Sequence, residues 1–259
     1  MFSVGIGNGT DSQVRCRTAD GVRVLFRGIL NRTSLYTVYQ SFAEAGLSDR
    51  DEVYVYSEWS AMFMALMATT EYPVINRPHP SSLRGVPYSG FEVRAFARAC
   101  GLPVSDEYLT NDLGRLRAAN PASPDEAFHS SEPYHPRRIR RFATNEDLAA
   151  AVCGAVVYDL LRAPTRHYVF AIFVDGWMRF SHEYDGAVHR NIDREVPDHL
   201  CAESRALASQ LSLSFAVFIF AKAGDGDLTF VNIDPCPPFE FYAGCEDEVH
   251  ARLLSLFSG

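Results

Sequence analysis

The alternation of apolar and polar positions divides the first hundred residues into short strands and amphipathic helices. The segment GVRVLFRGI predicts a strand and SLYTVYQSFAEAG predicts a helix. The longer segment DEVYVYSEWSAMFMALMATTEYPVINRP predicts a strand, a helix and a further strand. Apolar residues at helical spacing predict a further helix from Tyr88 to Cys100, which Gly101 and Pro103 end. The strand SDEYLT follows, so the pattern predicts an open α/β domain.

The second half of the chain has the pattern of antiparallel hairpins separated by helices. One hairpin, with its turn at Asp175-Gly176, is predicted by HYVFAIFVDGWMRFSHEYDG, and another, turning at 224–226, by LSFAVFIFAKAGDGDLTFVNIDP. Helices are predicted by PDHLCAESRALASQLSL and EDEVHARLLSLF, and a helix leading into a strand by NEDLAAAVCGAVVYDLL. Two strand runs are apolar at adjacent as well as alternate positions, which is typical of strands buried on both faces.

A change of composition separates these halves. The stretch 113–141 contains four prolines and the basic cluster RRIRR, and it predicts a long loop or linker. The cluster is typical of a solvated domain edge, with an anion site as the alternative. We therefore expect an N-terminal α/β domain over 1–112, a Pro-rich basic loop over 113–141 and a C-terminal α+β domain over 142–259.

Composition and charge narrow the functional classes. The 259 residues are 47% hydrophobic and 22% charged, without an apolar run of membrane-spanning length or a secretory signal, which predicts a soluble cytoplasmic protein. A net charge of -8 argues against nucleic acid as a partner. The six scattered cysteines form no CxxC pair, which argues against a disulfide framework or structural zinc. Lys222 is the only lysine, so chemistry that needs lysine has one candidate.

The last hairpin and its continuation, LSFAVFIFAKAGDGDLTFVNIDPCPPFEFY, resemble the final strands of ATP-grasp proteins. Other resembling segments occur in the family's order: SEWSAMFMALMATTEYPVINRP, like the end of the first domain in peptide-modifying ATP-grasp ligases, then GLPVSDEYLTND and HYVFAIFVDG. The likeness extends from about Val22 to Phe257. It implies an ATP-grasp-like α/β fold, in which residues 113–141 hold the remnant of a central subdomain and residues 142–259 form a reduced ATP-grasp domain.

The resemblance also implies a chemistry. ATP-grasp enzymes activate a carboxylate as an acyl phosphate, using two lysines on the ATP phosphates and acidic residues with an asparagine on Mg²⁺. In this chain Arg162 stands at the position of the family's second lysine, and Asn232 stands at the position of a glutamate. Asp234 stands at the position of the asparagine, and Ile219 or Phe218 at the position of the earlier acidic residue. The implied site residues are Asp234, Glu240 and Arg162 for catalysis, Arg162, Arg166 and Asn232 for ATP, and Asn232 and Asp234 for the metal. These substitutions predict weak binding of ATP and Mg²⁺.

Polar residues of RFSHEYDGAVHR form a second candidate group. Arg179, His182, Glu183 and Asp185 are candidate substrate contacts, although solvated loop polarity explains them as well. If the strand continues through this stretch, His182 lies on the face opposite Glu183. Similarly, Asp234 before Pro235 is also typical of a turn that ends a strand.

Three functional hypotheses remain open. The first is a non-standard or non-catalytic ATP-grasp-like protein of peptide or natural-product biosynthesis, which binds a peptide or small-molecule substrate. The second is an active ligase that forms an amide or ester, and the third is an ATP-independent enzyme that uses the old cleft. A reduced central subdomain would uncover apolar strands, so we also expect a homodimer or a complex with a tailoring enzyme.

Overall fold

The computed structural model describes most of the helices and strands of the chain. The described residues are 2–4, 14–17, 23–24, 29–31, 49–79, 82–83, 85–105, 107–110, 112, 127–132, 135–142, 158–163, 167–185, 188–223, 225–237 and 241–257. The chain forms two compact units, one of Met1–Pro87 with His250–Gly259 and the other of Tyr88–Val249. The domain boundaries expected at 112 and 141 stay a prediction.

The first unit contains two small sheets and one long helix. Strands β1 to β3 form an antiparallel sheet and β4 pairs in parallel with β5; their bounds are Phe2–Val4, Val14–Arg17, Arg23–Val24, Ile29–Leu30 and Val74–Ile75. Helix α1 spans Asp49–Thr69, so the strand predicted at its start is wrong. No glycine or proline interrupts this stretch, and Trp59 stacks on Phe63 one helical turn later at 5.3 Å. The helix predicted at 34–46 lies outside the described residues.

The other described helices confirm their predictions. Helix α2 spans Gly90–Ala99 and begins at a capping box, in which the side chains of Ser89 and Glu92 each bond to the other's backbone N–H. It ends before Gly101, which has a φ of +94°. Helix α3 spans Asp198–Gln210, and the last helix, α4, spans Glu246–Leu256.

A four-stranded antiparallel sheet occupies much of the stretch that was expected to be a loop. Its strands are β6 (Glu107–Thr110), β7 (Ala127–Glu132), β8 (His135–Phe142) and β9 (Tyr158–Ala163), in the order β6-β9-β7-β8. The loop prediction for 113–141 is therefore wrong over β7 and most of β8. Strand β8 lies at the edge of this sheet, where proline and arginine are tolerated because one side of the strand pairs with no neighbour in the sheet.

The main sheet of the second unit has five antiparallel strands in the order β12-β11-β10-β13-β14. Their bounds are Tyr168–Val174 (β10), Trp177–Tyr184 (β11), His189–Glu195 (β12), Phe215–Lys222 (β13) and Leu228–Asp234 (β14). Both predicted hairpins are confirmed, and positive φ angles at Asp175 and Gly176 fit the tight turn between β10 and β11. Strand β12 was not predicted, because six of its seven residues are exposed and most are polar or charged.

The central strands β10 and β13 are buried by the chain itself. Every residue of β10 is buried, as is every residue of β13 except Lys222. The expectation that these strands need a partner to cover them is therefore wrong, while the state of assembly stays a prediction. None of the described helices is long and apolar enough to cross a membrane.

Candidate active-site face of the five-stranded sheet

One cross-strand row brings the predicted polar residues onto a single face of the five-stranded sheet. The backbone register pairs Asn232 with Ile219, Ile219 with Phe170, Phe170 with His182, and His182 with Asn191. Residues paired across antiparallel strands share a face. We call this side of the sheet the Phe170 face.

An irregularity in β11 places His182 on the Phe170 face. The pairing passes from Phe170 opposite His182 to Ala171 opposite Phe180, which leaves Ser181 as an extra residue in β11. Ser181 is buried, and its hydroxyl donates its single hydrogen to the carbonyl oxygen of Phe241, while the carbonyl oxygen of Phe170 lies 3.4 Å away. The bulge therefore also anchors the segment that follows β14.

The two candidate metal ligands lie close together at the end of β14. Asn232 and Asp234 are both on the Phe170 face and are 7% and 2% exposed. The Oδ1 atom of Asn232 accepts a hydrogen bond from the N–H of Ile233 at 2.9 Å, and Oδ1 of Asp234 accepts one from the N–H of Cys236 at 2.9 Å. Each side chain thus uses one oxygen to fix the backbone at the strand end.

The neighbours of this pair do not fit a site that holds Mg²⁺ between protein and phosphate. Ile219 pairs with Asn232 and faces the same side, whereas Phe218 pairs with Ile233 and faces the opposite side. The position on the Phe170 face that should carry the second carboxylate is therefore occupied by an apolar side chain, whereas Mg²⁺ requires oxygen ligands. In the described parts of the chain, no group of three His, Cys, Asp or Glu residues could hold a metal ion.

A chain of hydrogen bonds connects three polar residues at the other edge of the Phe170 face. Nδ1 of His182 lies 3.1 Å from Oδ1 of Asn191, and its Nε2 lies 2.8 Å from Nδ1 of His189. His182 is 5% exposed and makes edge contacts with the rings of Phe170 and Phe241 at 5.7 and 5.0 Å. We call Asn191, His182 and His189 the imidazole relay.

Two of the other candidate substrate residues form an ion-pair cluster. Glu183 lies on the face opposite His182, as the alternation predicted, 3.3 Å from Arg194 and 3.4 Å from His167. Asp185 lies in the turn after β11 and is 3.0 Å from Arg190. The contact of Asp185 fits the alternative explanation as solvated loop polarity, because exposed ion pairs stabilise little and need no ligand. Glu183 is 16% exposed and lies on a strand, so this explanation does not describe it.

Arg179 lies on β11 and is engaged by a carboxylate of β12. Its guanidinium donates a hydrogen bond to Asp193, which raises the pKa of Arg179 and lowers the pKa of Asp193. Nearby, burial raises the pKa of the Cys245 thiol to about 11, with a further contribution from the negative charge of Asp193. Cys245 therefore lacks the thiolate character of a nucleophile at neutral pH.

The remaining candidates lie largely beyond the described structure. The backbone of Arg162 is on β9, opposite Phe128. Its side chain is outside the described part of the chain, and so are Arg166 and Glu240. Whether these three approach Asp234 stays a prediction.

Asn191 is missing from the sequence-based candidates, and His189, whose residue type in RFSHEYDGAVHR is typical of metal or acid-base chemistry, is missing from the candidate substrate contacts. Their signal was the Asp-Gly pair at 185–186, which is typical of a hairpin turn. Asp185 accepts a hydrogen bond from the N–H of Val188 at 2.9 Å, and the two residues flank this turn. A hairpin at this position pairs Tyr184 with His189 and brings Asn191 opposite His182.

Solved structures with a similar fold are ATP-grasp ligases. The ligase PsnB, solved with the precursor peptide PsnA2 and AMPPNP, is 17% identical, with 100% of this chain and 86% of that chain covered at a TM-score of 0.68. A RiPP-associated ATP-grasp ligase from Chryseobacterium gregarium, in complex with ADP and a leader and core peptide, is 10% identical, with 99% and 82% covered at 0.63.

A third similar structure is the macrocyclase MdnC from Microcystis aeruginosa, bound with the precursor peptide MdnA. It is 12% identical, and the match covers 75% of this chain and 65% of that chain at a TM-score of 0.57. No protein-family model and no curated protein sequence matches the chain. The fold is therefore similar to that of these ligases although the sequence identity is low. The chain has the ATP-grasp-like fold seen in ligases that act on peptides.

Proposed function

We propose that this chain is an ATP-grasp-like protein of peptide or natural-product biosynthesis that binds a peptide and lacks a standard Mg-ATP site. The main support for this proposal is the cross-strand pair of Asn232 and Ile219. An amide and an apolar side chain occupy the two positions where the resemblance implies carboxylates. Asp234 supports it, since one of its oxygens is engaged by the N–H of Cys236. A metal that bridges phosphates needs anionic oxygen ligands, and this part of β14 supplies one carboxylate.

The fold supports the peptide part of the proposal. Three similar structures, described above, contain a precursor peptide or a leader and core peptide. In this chain the rings of the Phe170 face are themselves buried, and the polar residues exposed on that side, His189 and Asn191, lie on the edge strand β12. A cytoplasmic location and assembly as a homodimer or with a tailoring enzyme stay predictions.

Calorimetry with two ligands tests the two parts separately. AMPPNP is titrated into the full chain with and without Mg²⁺, and we expect no Mg²⁺-dependent binding. A phage-displayed random peptide library is then selected on the same protein, and the enriched peptide is synthesised and titrated. We expect it to bind with the same affinity whether or not Mg-AMPPNP is present.

Each result can contradict the proposal. Tight Mg²⁺-dependent binding of AMPPNP would show that the substituted site still works and would favour an active ligase. Failure of the library to yield any enriched sequence would remove the peptide-binding role. Binding of ligand also raises the melting temperature, which provides an independent readout for both titrations.

A further inference from the structure

When both imidazoles are neutral, the imidazole relay with Oδ1 of Asn191 as its acceptor determines which nitrogen of each histidine carries the proton. Oδ1 of Asn191 can only accept a hydrogen bond, so Nδ1 of His182 is the donor across the 3.1 Å between them. A neutral imidazole has a single N–H, and Nε2 of His182 therefore holds a lone pair. Across the 2.8 Å contact, His189 must then donate from its Nδ1. The remaining nitrogen of His189, Nε2, is left with the lone pair.

The position of His189 makes this lone pair available to a solute. His189 is exposed, and its ring stacks on Tyr184 with a centroid distance of 4.4 Å. Since Nδ1 is engaged by the buried His182, the opposite nitrogen is the one that can meet a ligand. Both side chains belong to the same side of the sheet as Asn232, and His189, on β12, is about 19 Å from it across four strand spacings.

The charged groups around His189 are engaged with one another. Asp185, in the turn before β12, pairs with Arg190 at 3.0 Å. Glu183, on the opposite face of β11, is 4.0 Å from Arg190 and 3.3 Å from Arg194. Tyr184 contributes its ring face. Around His189, these carboxylates thus have cationic partners.

We propose that Nε2 of His189 is a subsite that accepts a hydrogen bond from an amine or hydroxyl group of the substrate. The proposal deepens the function proposed above and rests on it for the presence of a peptide substrate. The relay is the positioning device, because the partner of one ring nitrogen sets the tautomer of the other. Without the relay, His189 would favour the Nε2–H form that predominates for neutral histidine in water. In that form Nε2 carries a hydrogen and cannot accept a hydrogen bond from the substrate.

Long-range ¹H–¹⁵N NMR on the full chain with ¹⁵N-labelled histidine measures the tautomer directly. At a pH where both rings are neutral, we expect His189 to be mainly Nδ1–H. His199, exposed on α3, serves as the internal comparison and should be mainly Nε2–H. A predominant Nε2–H form of His189 in the unmodified chain would overturn the proposal.

Two variants separate the relay from a general structural role. Asn191→Leu removes the acceptor at an exposed position, so the protein should remain folded while His189 shifts toward Nε2–H. Asn191→Asp keeps an acceptor and should preserve the Nδ1–H form. Tyr184→Phe retains the stacked ring and should change nothing. An unchanged tautomer in Asn191→Leu would show that the relay does not control His189.

Small probes test the ligand chemistry without ATP or an identified peptide. N-acetyl-lysine amide and N-acetyl-serine amide should shift the Nε2 resonance of His189, and the relative size of the shifts distinguishes an amine from a hydroxyl. N-acetyl-norleucine amide has no side-chain donor and should give no shift. Equal shifts from all three probes, or none from any, would remove the subsite. Peptide binding in the earlier calorimetry would be unaffected by this failure, so the two proposals fail separately.

Discussion

The carboxylate of Asp234 accepts a hydrogen bond from the backbone N–H of Cys236 at 2.9 Å. This bond closes the turn that ends β14, where the resemblance implied a metal ligand. Loss of the acceptor would remove this hydrogen bond from the partly buried N–H of Cys236. A structural role of the side chain can therefore be separated from a role of its charge.

Asp234→Ala should lower the free energy of unfolding by about 1 kcal/mol, because a partly buried donor loses the acceptor that closes the turn. Asp234→Asn keeps an oxygen at the same position and should cost much less. Urea denaturation of both variants measures the difference. Equal losses would mean that the negative charge, and not the turn, is what the fold requires.

Gly101 and Gly226 offer a matched pair for backbone strain. Both have positive φ angles, +94° and +96°, but a Cβ at Gly101 would lie 3.3 Å from the carboxylate of Glu203, whereas none of the described atoms lies within 4 Å at Gly226. Alanine at either position should cost about 1 kcal/mol or more from strain alone. Gly101→Ala should cost at least as much as Gly226→Ala in thermal unfolding, and Gly101→Asn should cost less than Gly101→Ala because asparagine tolerates this conformation. A smaller loss at Gly101 than at Gly226 would contradict this expectation.

The capping box predicts a pH dependence at the start of α2. Hydrogen bonds from the backbone and side chain of Ser89 lower the pKa of Glu92 below its ordinary value of 4.5. A lowered carboxylate pKa contributes stability above the unfolded-state pKa, and this contribution is lost as the pH falls through the folded-state pKa. NMR titration of Glu92 in Ser89→Ala should show a pKa closer to 4.5. The same pKa in both proteins would contradict the assigned cause.

Cys245 should react slowly with iodoacetamide in the folded protein. Its pKa is raised to about 11 from an ordinary value of 9.0, mainly by burial, so at pH 8 roughly one thiol in a thousand is thiolate. Because the raised pKa favours the protonated folded state, its contribution to stability should decline as the pH rises from about 9 toward 11. Mass spectrometry after timed alkylation, with denatured protein as the control, measures the rate. Equal rates in the two states would refute the shift.

The sequence predicted the elements whose signals are local. The Asp175-Gly176 turn, the apolar spacing of the helix from Tyr88 to Cys100 and the stop at Gly101 each depend on residues within one turn of one another. Strand β12 and the edge strand β8 were missed for one shared reason. Edge strands are polar because one side faces solvent, so they lack the apolar pattern by which strands are predicted.

The candidate site was less predictable than the fold because it depends on pairing between distant segments. The strand alternation correctly placed Glu183 opposite His182. It could not show that Ile219, and not Phe218, shares the face of Asn232, since that depends on the register between β13 and β14. The register of the hairpin between β11 and β12 brings His189 next to His182. The contact of His182 with Asn191 then determines the tautomer of His189 in the proposal above.

The extra residue at Ser181 shifts the alternation of β11 by one position. Before Ser181, the side chain of Phe180 belongs to the face opposite Phe170. After Ser181, the side chain of His182 belongs to the Phe170 face. Deletion of Ser181 would close the bulge, since Phe180 and His182 would then follow each other opposite Ala171 and Phe170 and both would keep their present faces. The hydroxyl that holds Phe241 would be lost. The extra residue thus adds an attachment point between the sheet and the segment after β14 without changing which side chains the sheet presents on either face.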